Sequence, residues 1–549
     1  MKELYERITH IRKESGLSIA EFAAKIGLAS SSLQNIENGR INPSLEVILK
    51  IDSNWRQYGL NWLLYGEPMK ASGGVDIKNC QEPEAVSYKL PDTELLSNQY
   101  PMEQSITEDG VNDTGRRVEE VLNYYQIAFN SIEETVGPNY TLYEINPGIG
   151  MRMAKVRSFS DDIALSIASK GVRILAPIPG KQTLGIEVAH PYPRIVPIAD
   201  AVSSPQFKEA EMALPVVIGT AVNGKVRMMD LAKAPHILIG GATGQGKSVL
   251  IHNLIVSLLL KKRPEDVKFV MIDTDKVGLS CYEPIAENFM AILPDGGEAV
   301  ICDTDKAVQA LESLCLEMDN RYALLKKSGC RDIKKYNELY NSGQLKPEDG
   351  HRFMPYIVLV INEFSYLMLA SGKDAEILLC RLAQLARAVG IHAVIATNRL
   401  TTGMITGRIK ANFPTRIAFR VADEMNSRLV IDLSGAQQLG GPGDLLFSYR
   451  HNEIERLQAP FTDMDAINRI ANHIAAQPAD VPYVLPEVKH LDCDSWIDEI
   501  TDDIFEDDDC YVTGLSDEER AQLMKTLRQS MNDLDVIRRR FNKIMDRLK

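Results

Sequence analysis

At 549 residues the chain is too long for one ordinary domain, and 45 % apolar with 25 % charged residues is the composition of a folded globular protein. A net charge of −14 excludes a protein that coats itself in nucleic acid, while leaving room for a local basic channel. The eight cysteines lack C-x-x-C spacing or histidine pairing, no signal peptide opens the chain, and the longest apolar run (249–260) is too short for a bilayer, so the expectation is a cytoplasmic protein with no membrane segment, zinc site or disulfide framework.

Residues 1–68 are expected to form an all-α unit. Apolar residues recur at helical spacing over 4–11, 19–26 and 33–36, with Ser18 as N-cap and Pro43-Ser44 opening a further helix. The stretch 18–27 followed by 30–39 has helix-turn-helix spacing, with Ala23, Gly27 and Ile36 at the crossing of the two helices. From 69 to 113 the chain turns polar around Gly73-Gly74 and reads as a linker. Residues 114–225 combine a helix at 117–129 with β-rich runs at 140–145 and 216–222, a small α/β domain.

Strand–helix alternation then marks 226–478 as a parallel α/β core. Its strands are expected at 236–239, 267–272, 356–361, 392–396 and 416–421, with an edge strand at 444–448. The next segment, 479–514, is an acidic linker: ten acidic residues and no Lys or Arg lie between Leu491 and Cys510. Residues 515–549 read as a helical tail with a basic end.

The chemistry concentrates in the α/β core. Gly241-Ala242-Thr243-Gly244-Gln245-Gly246-Lys247-Ser248 is a complete phosphate loop between the first strand and an apolar helix. Its glycines let backbone N–H groups close around phosphates, Lys247 supplies positive charge, and the Ser248 hydroxyl suits Mg²⁺. The apolar strand at 356–361 ends in Asn362 and Glu363. Glu363 is placed as general base toward water, the alternative being a solvated charge. Asn362 keeps an oxygen for the nucleotide's metal ion and lacks the charge of an aspartate.

Asn398, ending the strand at 392–396, is a candidate γ-phosphate sensor or a simple strand cap. The run 381–390 reads as a helix carrying Arg381 and Arg387. Either could reach a neighbouring subunit's phosphates, Arg387 being the first candidate, or serve in a surface ion pair.

These residues carry a family resemblance. PHILIGGATGQGKSVLIHNLI, YIVLVINEF, RLAQLARAVGIHAVIATNRL and NSRLVIDLSGAQQLGGPGDLLF, within 235–448, resemble the motor of FtsK/SpoIIIE-type DNA translocases. Residues 115–225 resemble the small α domain that precedes that motor. The resemblance implies a RecA-like P-loop ATPase core in a hexameric ring that pumps double-stranded DNA using ATP. It also implies Asp at the position of Asn362, Asp at Tyr366, Gln at Asn398 and Pro at Leu400, so the level of ATPase activity is an open question here. Arg408 and Lys410 are candidates for channel loops that grip DNA phosphates, or ordinary surface charges.

The N-terminal unit, with SSLQNIENGRINPSLEVILKI, resembles the Cro/C1-type (XRE) repressor domain. That resemblance places Ser31, Ser32, Gln34 and Asn35 near base edges or phosphates. Eight Lys/Arg against eight Asp/Glu in residues 1–67 make the unit neutral, which favours modest intrinsic affinity or a protein-docking role. The leading expectation is a DNA translocase recruited by its helix-turn-helix, in a setting such as a mobile element. The alternatives are a DNA-binding regulator that binds ATP for assembly and a protein-secretion ATPase.

Overall fold

A computed structural model of the chain describes most of residues 4–38, isolated positions to 51, residues 88–96 and, with short breaks, 108–488. The expected linker at 69–113 falls mostly outside the described residues. The acidic stretch from 489 and the tail at 515–549 fall wholly outside them. The chain divides into two units, Met1–Ser87 and Tyr88–Lys549.

In the first unit, helices Leu4–Glu14, Ile19–Ile26 and Ser30–Glu37 bury Ile8, Ile11, Phe22, Ala23, Ile26, Leu33 and Ile36. Ser18 caps the second helix as expected. Its Oγ accepts from Glu21 N (3.3 Å) while the Glu21 carboxylate accepts from Ser18 N (2.9 Å), a reciprocal capping box. Arg12 pairs with both carboxylate oxygens of Glu37 (2.6 and 3.0 Å), joining the first and third helices. Gly27 lies outside the described residues.

The second unit opens with a four-stranded antiparallel sheet: β1 (Phe129–Val136), β2 (Tyr140–Pro147), β3 (Val172–Leu175) and β4 (Leu184–Ala189), in the order β1-β2-β4-β3. Helices Glu108–Tyr124 and Ser160–Ile167 cover it, burying Val118, Leu122 and Ile163 against Tyr143, Ile145 and Ile186.

The rest is built on one ten-stranded sheet. Its strands are β5 (Pro215–Thr220), β6 (Val226–Asp230), β7 (His236–Gly240), β8 (Val267–Asp273), β10 (Val300–Ile301), β11 (Tyr356–Asn362), β12 (Ile391–Thr397), β13 (Thr415–Phe419), β14 (Asp444–Ser448) and β15 (Ile454–Gln458). The short β9 (Ala291–Ile292) pairs separately with β16 (Tyr483–Val484). The order β10-β8-β11-β12-β7-β13 is parallel throughout, and β14-β15-β5-β6 continues it antiparallel.

Side-chain alternation divides the core into two layers. Ile237, Ile239, Val358, Val360 and Val394 face the helices Lys247–Leu259 and Met464–Ala475. Leu238, Leu359, Ile361, Ala393 and Ile395 face Thr304–Ser328, Phe364–Ser371 and Lys373–Leu385. Both faces are covered, which is why these strands read as unbroken apolar runs.

Two expectations are corrected. The strand at 444–448 is interior, buried at all five residues between β13 and β15, because the chain returns to add β15, β5 and β6 beyond it. The run at 216–222, expected in the small domain, supplies β5 of the large sheet. There Val217 N donates to Ser257 Oγ (3.2 Å) of the phosphate-loop helix.

The two sheets meet at a buried charge cluster. Arg456 of β15 donates to Glu187 of β4 (2.9 Å) and to Asp444 of β14 (2.6 and 3.0 Å), and its guanidinium lies 4.2 Å from the Tyr140 ring centre.

Candidate nucleotide site

The phosphate loop leaves β7 and enters the helix Lys247–Leu259 through two left-handed glycines, Gly244 (φ +76°) and Gly246 (φ +109°). Its neighbours hold it. Ala242 N donates to Arg420 O (2.9 Å) and Gly443 N to Gln245 O (2.9 Å). A Cβ on Gly241 would stand 2.6 Å from Phe419 Cβ, so only glycine allows the loop to lie this close to the end of β13. Lys247 Nζ donates to the carbonyls of Gly241 (2.9 Å) and Ala242 (3.0 Å). Burial pulls the Lys247 ammonium below its ordinary range, opposed by the charges of Glu363 and Asp275.

Opposite the loop, β11 ends at Asn362 and the chain turns sharply. Glu363 takes a left-handed backbone (φ +58°, ψ +65°) that caps the helix Phe364–Ser371. Non-glycine residues hold such a conformation at a cost, usually where a side chain must be aimed. The buried Glu363 carboxylate accepts from the Ser365 and Thr397 hydroxyls (2.5 and 2.7 Å) and from Asn398 N (2.8 Å). These three donors fix its direction.

Asn362 sits beside the end of β8, in register with Asp273. Its Nδ2 donates to Asp273 Oδ1 (2.9 Å), and Asp273 Oδ2 accepts from Leu279 N (2.8 Å). Asp273 has no exposed surface.

Thr243, Gly244, Gly246, Lys247, Ser248, Asn362, Glu363 and Asn398 line one cavity of about 560 Å³, so the fold brings together eight of the residues that the sequence assigns to the nucleotide site. Sequence reasoning missed Asp275, Ile195, Gln458 and Phe461 in the same wall, and Asp273, Ser365 and Thr397 behind it. Asp273 carried a usable signal, an acidic residue closing an apolar strand as Glu363 does. Desolvation, then the Glu363 and Asp273 carboxylates, raise the Asp275 carboxyl above its usual range.

Arg381 and Arg387 do not line this cavity. The expected helix 381–390 ends at Leu385, and Arg387 lies exposed in the turn that follows, before the left-handed Gly390 (φ +74°). Arg381 pairs with Asp319 at 3.2 Å. Arg408 is exposed on the short helix Gly407–Asn412, whereas Lys410 is ion-paired with Asp432. In the first unit, Ser31, Ser32, Gln34 and Asn35 lie on the helix Ser30–Glu37. Gln34 is exposed, and the side chains of the other three lie outside the described residues.

A nucleoside triphosphate fits these residues. The glycine loop and helix N-terminus offer backbone donors for phosphates, Ser248 is exposed to the cavity, and Ile195, Pro460 and Phe461 supply an apolar wall for a base. Among the described residues no group of three or more His, Cys, Asp or Glu side chains could hold a metal ion unaided. Mg²⁺ takes few protein ligands and is completed by phosphates and water.

Comparison with known proteins gives consistent matches. Residues 197–402 match the FtsK/SpoIIIE family, residues 90–190 the FtsK alpha domain and residues 8–53 a helix-turn-helix domain. A DNA translocase FtsK of Chlorobaculum tepidum is 41 % identical over 397 residues, covering 72 % of this chain and 48 % of that protein. Its counterpart in Streptococcus pneumoniae is 39 % identical over 401 residues, covering 73 % of this chain and 51 % of that protein. The chain thus spans about half the length of these relatives. A solved structure of the pCW3 conjugation coupling protein TcpA, in monomer form with ATPγS, is 23 % identical, with a TM-score of 0.45 over 66 % of this chain and 99 % of that one.

Proposed function

Since the chain belongs to the FtsK/SpoIIIE family, we propose that it is a cytoplasmic ATPase that translocates double-stranded DNA as a homo-hexameric ring. The observation that carries this reading is the Glu363 carboxylate, clamped by three donors in the wall that also presents Lys247 and Ser248. Bound ATP with Mg²⁺ would supply the phosphoanhydride whose hydrolysis releases the energy for movement.

The chain's own residues divide the work. The loop N–H groups and Lys247 would bind phosphate charge, and the Ser248 hydroxyl would help hold the metal ion. Glu363 accepts a proton from water. Asn398 joins the two strand ends through its N–H to Glu363, so a change at its side chain can reach the base. Arg387, exposed and away from its own cavity, is the arginine available to a neighbouring subunit, while Asp319 holds Arg381. Arg408 remains the candidate phosphate contact. The N-terminal unit, presenting Gln34, would recruit the ring to DNA. No described helix is long and apolar enough to cross a membrane.

A second reading, a DNA-binding regulator that binds ATP for assembly, draws on the neutral Asn362 and its engagement by Asp273. DNA-stimulated ATP turnover compared with a Lys247→Ala control tests the two. Turnover well above the control supports the motor, and none supports the regulator.

A further inference from the structure

Three carboxylates stand at or near the strand ends beside the phosphate loop, and two of them, Glu363 in the cavity wall and Asp273 buried behind it, have both oxygens committed. Both Glu363 oxygens accept hydrogen bonds, from Ser365 and Thr397 at one and from Asn398 N at the other. Both Asp273 oxygens are taken by Asn362 and Leu279, and the residue is fully buried. Asn362 is neutral. Asp275 alone is an exposed carboxylate that lines the cavity with Ser248 and Lys247, and among the described residues it has no hydrogen-bonded or ion-paired partner.

The turn that presents it is held in place. Lys276 adopts φ +64° with its N–H on Asp273 O (3.0 Å), and Thr274 Oγ1 donates to Glu363 O (3.4 Å). A left-handed lysine is costly, and here it keeps Asp275 beside the base. Mg²⁺ at nucleotide sites takes one or two carboxylates in addition to phosphate oxygens. The Glu363 and Asp275 carboxylates beside the single Lys247 ammonium also leave the wall net negative, which a cation relieves.

We propose that Asp275 is the metal-side carboxylate of this site, supplying the anionic oxygen toward the nucleotide's Mg²⁺ that Asn362 does not. The inference rests on the nucleotide-site reading above and adds a residue to it.

The test is equilibrium binding of a fluorescent, non-hydrolysable ATP analogue to the full chain, titrated with Mn²⁺ or Mg²⁺ and repeated in EDTA. Asp275→Asn should raise the half-saturating metal concentration roughly ten- to a hundredfold. Its metal-free affinity should be unchanged or tighter, since a negative charge near phosphates is gone. Asp275→Glu should restore most of the metal dependence. An Asp275→Asn titration that overlays the wild type overturns the assignment while leaving the nucleotide site intact. No analogue binding by the wild type, with or without metal, overturns both.

Discussion

Asn362 and Asp273 close two adjacent parallel strands in register and share a 2.9 Å hydrogen bond, with the amide as donor and a fully buried carboxylate as acceptor. The amide therefore has a structural role: it satisfies one oxygen of a carboxylate with no exposed surface. Asn362→Leu should leave that oxygen unpaired and cost about 1–3 kcal/mol, read as a lower denaturation midpoint. Asn362→Asp would set two carboxylates against each other, which cannot both ionise at that distance. Its stability deficit should be larger at pH 8 than at pH 5.

The proposed base, Glu363, has its carboxylate clamped by three donors. Glu363→Gln should cut ATP turnover by about two to four orders of magnitude while analogue affinity stays within a few-fold of wild type. Thr397→Val removes one clamp donor and should give a smaller loss in turnover, again without a large change in affinity. Steady-state turnover beside equilibrium binding separates these effects.

The sheet junction depends on Arg456, fully buried between Glu187 and Asp444. Arg456→Met leaves buried Asp444 without a counter-charge and Glu187 with Arg173 alone, and should destabilise the fold by about 3–5 kcal/mol. The double change Glu187→Gln with Asp444→Asn should be additive neither with it nor with each other, because all three share one network.

Acid sensitivity follows from buried imidazoles. Burial lowers His236 and His392 to about 3 and His252 to about 4. In the unfolded chain they titrate near the ordinary value of 6.5. Between those values the unfolded state binds more protons, so stability is fully present above about pH 6.5 and falls as pH drops toward 3–4. Each imidazole contributes up to about 1.4 kcal/mol per pH unit in that window. Replacing His392 with an apolar residue of similar size should flatten the pH profile of the unfolding midpoint.

Much of the site was legible because local physics announces it. The strands at 236–239, 267–272, 356–361 and 392–396 are apolar runs buried on both faces, and the phosphate loop needs its glycines for left-handed backbone beside a close neighbour. What escaped depends on partners distant in sequence. The bond between Asn362 and Asp273 spans 89 residues, and nothing near Asp275 signals that it lines the same cavity as Ser248. The interior position of β14 depends on β15 and on β5, a strand laid down before the phosphate loop. The end of the helix at Leu385 had a local cue, Gly390, outweighed by the helical spacing of 381–388.

A motor of the proposed kind hydrolyses ATP in response to DNA. The direct measurement is ATP hydrolysis by the full chain with and without duplex DNA, beside Lys247→Ala and Glu363→Gln. Turnover should be stimulated severalfold by duplex DNA and abolished in both variants. Turnover no higher than that of Lys247→Ala at saturating DNA and Mg²⁺ would contradict the motor proposal.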